Sequence, residues 1–223
     1  MTGVESPDTA VFQHSLTTLP AGAITSRVSA DPVEIDGRGA LRVSLLPEIA
    51  EHGVPGVDYV DQPTFLVLPV EVTDAVVEVD VRSRLTPTAP DYSRAFAGIA
   101  YRISSDLDRF EAAYLRPLNG RRVDPPAPRH LRAVQHFSYP EWPFDRLREN
   151  YPEGVFETGA DIGPDEWTHL RVAFTGTRCD VAVNGEHLLT VTSLTTPSTG
   201  AVGLFVDIGT EAFFSNLVIT PIG

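Results

Sequence analysis

The sequence predicts an all-β protein built as a two-sheet antiparallel sandwich, and three observations support this fold class. Runs of alternating apolar and polar residues recur along the chain, helical periodicity is scarce, and turn-forming residue pairs separate the runs. Alternation with a period of two is typical of a strand that has one face buried. Strands that recur roughly every 8 to 12 residues are typical of sandwiches and barrels.

The alternation is clearest in the run VVEVDVRS at 76–83, which places three valines on one face and Glu78, Asp80 and Arg82 on the other. The same reasoning predicts further strands at 41–46, 96–103, 109–116, 132–139, 167–174, 179–184, 187–194, 201–208 and 212–220. Turns are assigned to Asp36-Gly37, Asn119-Gly120, Asn184-Gly185 and Thr199-Gly200. Asn184-Gly185 is the strongest hairpin signal of the four, because alternating residues flank it closely on both sides.

We predict one domain over residues 1–223, because no repeat and no linker composition divides the chain. Its first 30 residues are expected to form an edge strand and a loop. Residues 119–151 interrupt the strand rhythm with prolines, arginines and aromatic residues, and their tail FDRLRENY is expected to form a short helix. A long irregular insertion in a compact β domain is more often functional than not.

The composition excludes several classes of function. The net charge is −13, all 17 basic residues are arginine, and there is no lysine, so nucleic acid and anionic membranes are not expected partners and a Schiff-base mechanism is excluded. No apolar run approaches the roughly 20 residues of a membrane span. The lone Cys179 has no partner for an internal disulfide and is expected to be a buried thiol. With no secretory signal at the N-terminus, these features predict a cytoplasmic protein.

Two stretches carry a resemblance to a known superfamily. DEWTHLRVAFTGTRCDVAVNGEHLLTV (165–191) and TGAVGLFVDIGTEAFFSNLVITP (199–221) resemble the C-terminal half of a laminin G-like or concanavalin A-like jelly roll. The shared features are a Trp that opens a strand, an Asn-Gly hairpin, a Gly-Leu strand and a final strand, here Trp167, Asn184-Gly185, Gly203-Leu204 and 214–217. The resemblance spans about residues 65–221. The chain is also similar to bacterial 3-keto-disaccharide hydrolase-like domains, and this implies a sugar ligand.

The glucanases of that superfamily use the pattern Glu-x-Asp-x-x-Glu. Here Glu78 and Asp80 are followed by Ser83 in place of the second Glu, so the motif is incomplete and glucanase activity is disfavoured. Glu78 and Asp80 are instead expected on the solvated face of an outer strand.

The expected ligand site is a groove on the concave sheet, next to the insertion. Arginine forks bind carboxylates, phosphates or vicinal hydroxyls, and an exposed Trp142 would stack on a sugar ring. The alternatives are that Arg102 and Arg116 end their strands in ion pairs with Asp106, Asp108 or Glu111, and that Trp142 closes the end of the sandwich. The candidate groove residues are Arg102, Tyr114, Arg116, His130, Arg132, Gln135, His136, Tyr139, Trp142 and Phe144.

If the protein is an enzyme, His136 or Glu111 is the predicted acid–base residue of a glycoside-acting hydrolase or lyase, because His titrates in the working range of pH. His130 is the other candidate base, and Glu141, Glu157 and Asp161 are further carboxylate partners. No metal-ligand spacing is present, and a structural calcium held by Asp207, Gly209 and Glu211 is the remaining metal option.

Three functions therefore stay open at the level of sequence. The first is binding or processing of a carbohydrate or sugar derivative. The second is a cytoplasmic enzyme that acts on a small non-sugar metabolite in an arginine-lined pocket. The third is a protein-interaction module, which an apolar patch around Trp142 and Phe144 would favour. The sequence does not define the oligomeric state.

Overall fold

A computed structural model describes residues 11–223, so the first ten residues of the predicted N-terminal segment lie outside the described residues. Two antiparallel sheets pack face to face, which confirms the predicted sandwich. The strands are β1 Phe12–His14, β2 Ile24–Ser26, β3 Val28–Ile35, β4 Arg38–Leu45, β5 Phe65–Val72, β6 Ala75–Leu85, β7 Ala97–Ile103, β8 Phe110–Leu115, β9 Val134–Tyr139, β10 Glu157–Thr158, β11 Thr168–Thr175, β12 Arg178–Val183, β13 Glu186–Thr192, β14 Gly200–Val206 and β15 Thr210–Pro221.

The first sheet has the order β13-β12-β11-β6-β15-β4-β3, with β1 also paired to β15. The second sheet has the order β10-β9-β8-β7-β14-β5-β2. Helices are short: α1 covers Pro47–His52, α2 covers Phe144–Asn150, and 3₁₀ turns lie at Pro117–Asn119, Arg121–Val123 and Arg129–Leu131. Among the described residues, no helix combines the length and the apolar character needed to cross a membrane.

All the strands predicted by alternation are present, with ends displaced by a few residues. Asp36-Gly37 and Asn184-Gly185 both form hairpin turns with positive φ at each residue (52° and 74°, 51° and 82°), as a type I′ turn requires. The turn assigned to Asn119-Gly120 is wrong. Gly120 has a φ of −67° and follows a 3₁₀ turn, and its ideal Cβ would lie only 1.9 Å from the carbonyl oxygen of Ile162. Glycine is present there because the backbone passes close to another segment.

Two further predictions need more detail. The predicted strand at 132–139 is present as β9, and it divides the insertion at 119–151 into one loop with three 3₁₀ turns and a second segment that contains the expected helix, α2. The first 30 residues contain an edge strand, as expected, and also a second short strand. β1 pairs with β15 in the first sheet, whereas β2 pairs with β5 at the edge of the second sheet. The intervening residues therefore pass from one sheet to the other.

The core between the sheets is apolar, and one aromatic stack shows how the sheets meet. The ring of Tyr101 on β7 lies parallel to that of Phe174 on β11, with centroids 4.2 Å apart. Side chains directly opposite one another on paired strands lie on the same face of a sheet, so Glu111, which pairs with Tyr101, also points between the sheets. The opposite face of the second sheet is equally closed, by the buried aromatic side chains Phe65, Phe110, Tyr114, Phe137 and Phe205.

Gly98 permits this close packing. It lies opposite Tyr114 in the β7–β8 ladder, and an ideal Cβ would be 2.3 Å from the Ala113 carbonyl oxygen and 2.4 Å from the Tyr114 Cα. Both are backbone atoms, so any side chain would force the two strands apart.

We therefore expect Gly98→Ala to lower the free energy of unfolding by about 3 kcal/mol or more, because overpacking against backbone cannot relax through a rotamer change. Denaturant unfolding measures this loss. Gly163→Ala is the matched control, since the nearest atom to its Cβ is the flexible carboxylate end of Glu166 at 3.1 Å. Equal losses in the two variants would contradict the explanation.

Candidate functional site

A cavity of about 290 Å³ opens at one end of the second sheet. It is formed where β8 and β14 end and where the loops before β5, β7 and β9 meet α2. The lining residues are Val60, Asp61, Tyr92, Arg94, Phe96, Tyr114, Arg116, Asn119, Arg129, Arg132, Phe144, Arg148, Asp207 and Ile208. Five of them are arginines, which is a high concentration of positive charge in a chain of net charge −13.

The Asp61 loop is held in an uncommon backbone conformation. Val60 and Asp61 have φ values of 66° and 56°, in the left-handed region that a β-branched residue such as Val rarely adopts. Asp207 accounts for it: its Oδ1 accepts hydrogen bonds from the N–H groups of Val60 (2.9 Å) and Ile208 (2.7 Å), and its Oδ2 accepts one from Asp61 (3.0 Å). Strain of this kind persists where surrounding contacts fix it, and it clusters at functional sites.

The two oxygens of Asp61 have unequal partners. Oδ2 accepts a short hydrogen bond from the N–H of Phe144, at 2.6 Å, whereas Oδ1 has only the Tyr114 hydroxyl, at 3.5 Å. Burial, and after it the neighbouring carboxylate of Asp207, raise the pKa of Asp61 to about 7, although the Phe144 N–H and Arg116 act to lower it. Asp61 is therefore a carboxyl group that titrates near neutral pH and has one weakly bonded oxygen at the cavity.

One carboxylate compensates several of the arginines. Glu157, with a side chain only 7 % exposed, pairs with Arg116 at 3.3 Å, Arg132 at 3.0 Å and Arg148 at 2.6 Å. Arg116 also donates to the Tyr114 hydroxyl at 2.6 Å. Glu157 thus orients three guanidinium groups but supplies a single negative charge.

Arg94 and Arg129 form no ion pair with any residue of the described chain. Arg94 donates only to the backbone carbonyls of Asp91 and Ser93. Its pKa is lowered by burial and by the nearby cations of Arg129 and Arg116. This end of the cavity therefore holds excess positive charge, which an anion would relieve.

Three buried polar atoms of lining residues have no hydrogen-bond partner within residues 11–223: Nε of Arg116, Nε of Arg129 and Oδ1 of Asn119. The amide nitrogen of Asn119 donates to the Arg132 carbonyl at 3.0 Å, which leaves its oxygen as the free acceptor. Buried polar groups are nearly always satisfied. A ligand with both an anionic group and a hydroxyl would satisfy these two donors and this acceptor.

The predicted site residues fall into separate places. Tyr114 and Arg116 line the cavity, as do Arg132 and Phe144 of the insertion. The predicted groove on the face of the sheet does not form, because the aromatic side chains described above fill that face of the second sheet.

Arg102, Glu111 and His136 lie at the other end of β8, inside the sandwich. Strict alternation along β7 would place Arg102 on the same face as Gly98, but Arg102 has a φ of 53° in an irregular part of the β7–β14 ladder and its side chain lies on the other face. Its guanidinium instead pairs with Glu111 and Asp74, both at 3.0 Å. The alternative of an ion pair with Glu111 is therefore correct for Arg102, whereas Arg116 pairs with Glu157.

The predicted catalytic pair is in contact, with His136 Nε2 3.5 Å from Glu111 Oε2 and 2.9 Å from the Tyr101 hydroxyl. Both side chains are buried, and the adjoining cleft, which Glu111 lines, has a volume of only about 50 Å³ and is too small for a sugar. Although burial disfavours the charge, hydrogen bonding by His136 and the nearby Arg102 lower the pKa of Glu111 below its usual value. This arrangement resembles a structural ion pair in the core.

The remaining candidates contact the protein itself. Gln135 donates to the His136 and Phe156 carbonyls, and Tyr139 stacks on Phe110 with centroids 5.1 Å apart. Trp142 is half-buried, with the Arg146 guanidinium 4.5 Å above its ring. His130 lies in the 3₁₀ turn Arg129–Leu131 and does not line the cavity. No open aromatic platform is formed by these residues.

Three further predictions concern the suggested calcium site, the outer face of β6 and the cysteine thiol. Asp207 and Glu211 have different partners, since the oxygens of Asp207 accept backbone N–H groups and Glu211 pairs with Arg84 at 2.8 Å. They do not fit the suggested calcium site. Glu78 and Asp80 lie on the outer face of β6, as predicted. Cys179 is buried, and burial raises the pKa of its thiol to about 12.

Sequence reasoning missed most of the cavity. Asp61, Tyr92 and Arg94 lie in loops with no recognisable motif, and only the tertiary structure brings them to the ends of β8 and β14. The available sequence signal for the cavity was a local concentration of arginines in an acidic chain. This signal does not show which arginines lie together in the folded protein.

The sequence matches no protein-family model, and no curated protein is similar enough in sequence to count as a relative. Similarity appears among solved structures. A protein of unknown function with a galectin-like fold from Bacillus subtilis aligns with a TM-score of 0.57 and 10 % identity over 94 % of each chain.

The carbohydrate-binding module CBM66 from Bacillus subtilis aligns with a TM-score of 0.53 and 12 % identity, over 86 % of this chain and 94 % of that one. Domain 4 of AbnA, a GH43 extracellular arabinanase from Geobacillus stearothermophilus, was solved with arabinotriose. It aligns with a TM-score of 0.50 and 15 % identity, over 96 % of this chain and 91 % of that one. At these identities the similarity shows the fold alone, and it agrees with the predicted two-sheet antiparallel sandwich.

Glu111→Gln is expected to lower the free energy of unfolding by about 3 kcal/mol at neutral pH, because it leaves the buried Arg102 and His136 facing a neutral group. The lowered pKa of Glu111 means that its stabilisation is present above the unfolded-state pKa and is lost as pH falls. The deficit of the variant should therefore shrink in acid. Urea unfolding across pH measures it, with the exposed Glu141→Gln as control; a deficit independent of pH would contradict an ionic role.

Asp61→Asn tests the carboxyl group in the cavity. Because the folded-state pKa of Asp61 is raised to about 7, the native state binds a proton more tightly than the unfolded state, and this stabilisation is lost as pH rises. Relative to the variant, the wild type should lose roughly 1.4 kcal/mol of unfolding free energy per pH unit between about pH 4 and pH 7. The exposed Asp91→Asn should show no such trend, and a flat difference for Asp61→Asn would refute the raised pKa.

Proposed function

We propose that this protein binds a sugar derivative carrying a negative charge, such as a sugar acid or a sugar phosphate, in the cavity at the end of the second sheet. The observation that carries the proposal concerns residues 11–223, where Arg94 and Arg129 have no ion pair and where Nε of Arg116, Nε of Arg129 and Oδ1 of Asn119 are buried in the cavity lining without partners. Guanidinium groups bind carboxylate and phosphate through paired, charge-assisted hydrogen bonds.

The hydroxylated character of the ligand is inferred from the acceptor in the cavity and from the fold. Oδ1 of Asn119 needs a donor, and a sugar hydroxyl supplies one next to the arginines. Solved structures that share the fold include a carbohydrate-binding module and a domain in complex with arabinotriose. Fold similarity does not fix function, so the chemistry of the site carries the greater weight.

The volume limits the size of the ligand. A cavity of about 290 Å³ lies at the lower end of the range for small-molecule sites, roughly 300 to 1,000 Å³. We therefore propose a ligand of one sugar ring with its charged group. A longer chain would extend beyond the cavity, past Tyr92, which is exposed at its edge.

The arginine lining also favours the second candidate, a small non-sugar metabolite bound through its carboxylate or phosphate. The two candidates differ in what satisfies Asn119: a sugar acid donates a hydroxyl to it, whereas a simple carboxylate does not. The interaction module gains less support, because Trp142 and Phe144 are both half-buried and each has an arginine over its ring.

Thermal unfolding with D-glucuronate, D-glucose 6-phosphate, D-glucose, acetate and inorganic phosphate separates these candidates. The proposal expects stabilisation by the charged sugars beyond that by acetate or phosphate, and little by glucose; a ligand at 100 times its dissociation constant adds about 2.7 kcal/mol. Stabilisation by the simple anions alone would favour the metabolite, and equal stabilisation by glucose would overturn the anionic site.

Arg129→Gln and Arg94→Gln should each weaken binding of the stabilising ligand by about tenfold or more, since each removes a charge-assisted hydrogen bond worth roughly 1.5 to 3 kcal/mol. Isothermal titration calorimetry measures the affinity. Arg109→Gln is the matched control, because Arg109 is exposed and pairs with Asp108 at the opposite end of β8. An equal loss in the control would show that only overall charge matters.

A further inference from the structure

Asp61 stands apart among the groups of the cavity, because a carboxylate is the wrong charge for a site that attracts anions. It lies in the same cavity as Asp207, and two buried carboxylates together with a bound anion would repel one another strongly. Protonation of one of the two carboxyl groups would remove this repulsion when an anion binds.

The hydrogen bonds indicate which carboxyl group carries the proton. Burial raises the pKa of Asp207 above its ordinary value, but Asp207 accepts three backbone N–H groups, from Val60, Asp61 and Ile208, and such bonds favour its charged form. Asp61 accepts one N–H, from Phe144, and its Oδ1 has only a long contact of 3.5 Å to the Tyr114 hydroxyl. Oδ1 of Asp61 is therefore the atom at which a proton is best placed.

We propose that Asp61 binds the ligand as a neutral carboxylic acid, donating a hydrogen bond from Oδ1 to the anionic group, so that one proton enters the cavity with each anion. This inference rests on the proposed function, since it describes how the same cavity receives its ligand. A protonated carboxyl group gains a donor that a carboxylate lacks. Protonation also removes the repulsion that an ionised Asp61 would exert on the anion.

The surrounding charges agree with this role. Asp207 and Asp145 oppose ionisation of Asp61, and Arg116 and the Phe144 N–H favour it, with burial the largest influence. Burial and the two carboxylates prevail, so the group is poised near neutral pH, and an added anion shifts it further towards the protonated form. The charged and titratable groups that share the cavity with Asp61 are Tyr92, Arg94, Tyr114, Arg116, Arg129, Arg132, Arg148 and Asp207.

Inorganic sulfate is a suitable probe, because it stays a dianion throughout the range from about pH 6 to pH 9, and any proton taken up on binding then comes to the protein. The affinity of the wild type for sulfate, measured by calorimetry at constant ionic strength, should fall about tenfold per pH unit above pH 7, as the competent protonated fraction falls. Titrations in two buffers of different ionisation enthalpy should count about one proton per sulfate at the alkaline end.

Asp61→Asn keeps the shape and supplies a permanent neutral donor, so its affinity for sulfate should be nearly independent of pH over the same range. Asp91→Asn should retain the wild-type slope. A slope that persists in Asp61→Asn, or none in the wild type, overturns this inference and leaves the anionic site in place. No sulfate binding to the wild type at about pH 6, where Asp61 is largely protonated, overturns the proposed function and this inference with it.

A measurement on the wild type keeps the inference testable even if the Asp61→Asn variant does not fold. The carboxyl carbon of Asp61, followed by NMR in protein labelled at aspartate, should titrate near pH 7 and move to higher pH when sulfate is added. An Asp61 signal whose midpoint is unchanged by saturating sulfate would show that the anion and the proton bind independently, and would overturn the inference.

Discussion

The carboxylate of Asp207 is the constraint on which the arrangement of the cavity depends. It binds the N–H groups of Val60 and Asp61, both in the left-handed backbone region, and that of Ile208, which follows it in the chain. Each left-handed residue other than glycine costs about 1 kcal/mol or more, and charge-assisted hydrogen bonds from buried N–H groups offset that cost. Asp207 thus attaches the loop before β5 to the end of β14 and determines where Asp61 lies.

The two ends of β8 contain buried charge that is balanced to different degrees. At its start, Arg102 lies between Glu111 and Asp74, and the cluster contains about as many negative as positive groups. At its end, Glu157 is shared by three arginines while Arg94 and Arg129 have no ion pair within the described chain. Buried charges that are fully paired are typical of structural ion pairs. Unpaired charges at a cavity are more typical of a ligand-binding site.

The fold followed from the sequence because its evidence is local. Period-two alternation in β6 and β11, and the Asn184-Gly185 turn, each determine structure within a few residues. The cavity did not follow, because it joins loops from five parts of the chain through contacts such as the one between Asp61 and Phe144, 83 positions apart. Arg102 marks the limit of the local argument: one irregular residue reversed the face on which its side chain lies.

The position of the acid–base group is the last consequence of this geometry. His136 and Glu111 have the residue types expected of a catalytic pair, but the cleft that Glu111 lines has a volume of only about 50 Å³, which is too small for a sugar. Asp61 has access to the cavity, a pKa near neutral pH and a hydroxyl neighbour in Tyr114. The proposed proton exchange with a bound ligand therefore involves Asp61, which lines the larger cavity. If this protein performs acid–base chemistry on its ligand, the physical arrangement assigns the proton to Asp61, with Asp207 fixing its position and the arginines holding the anion.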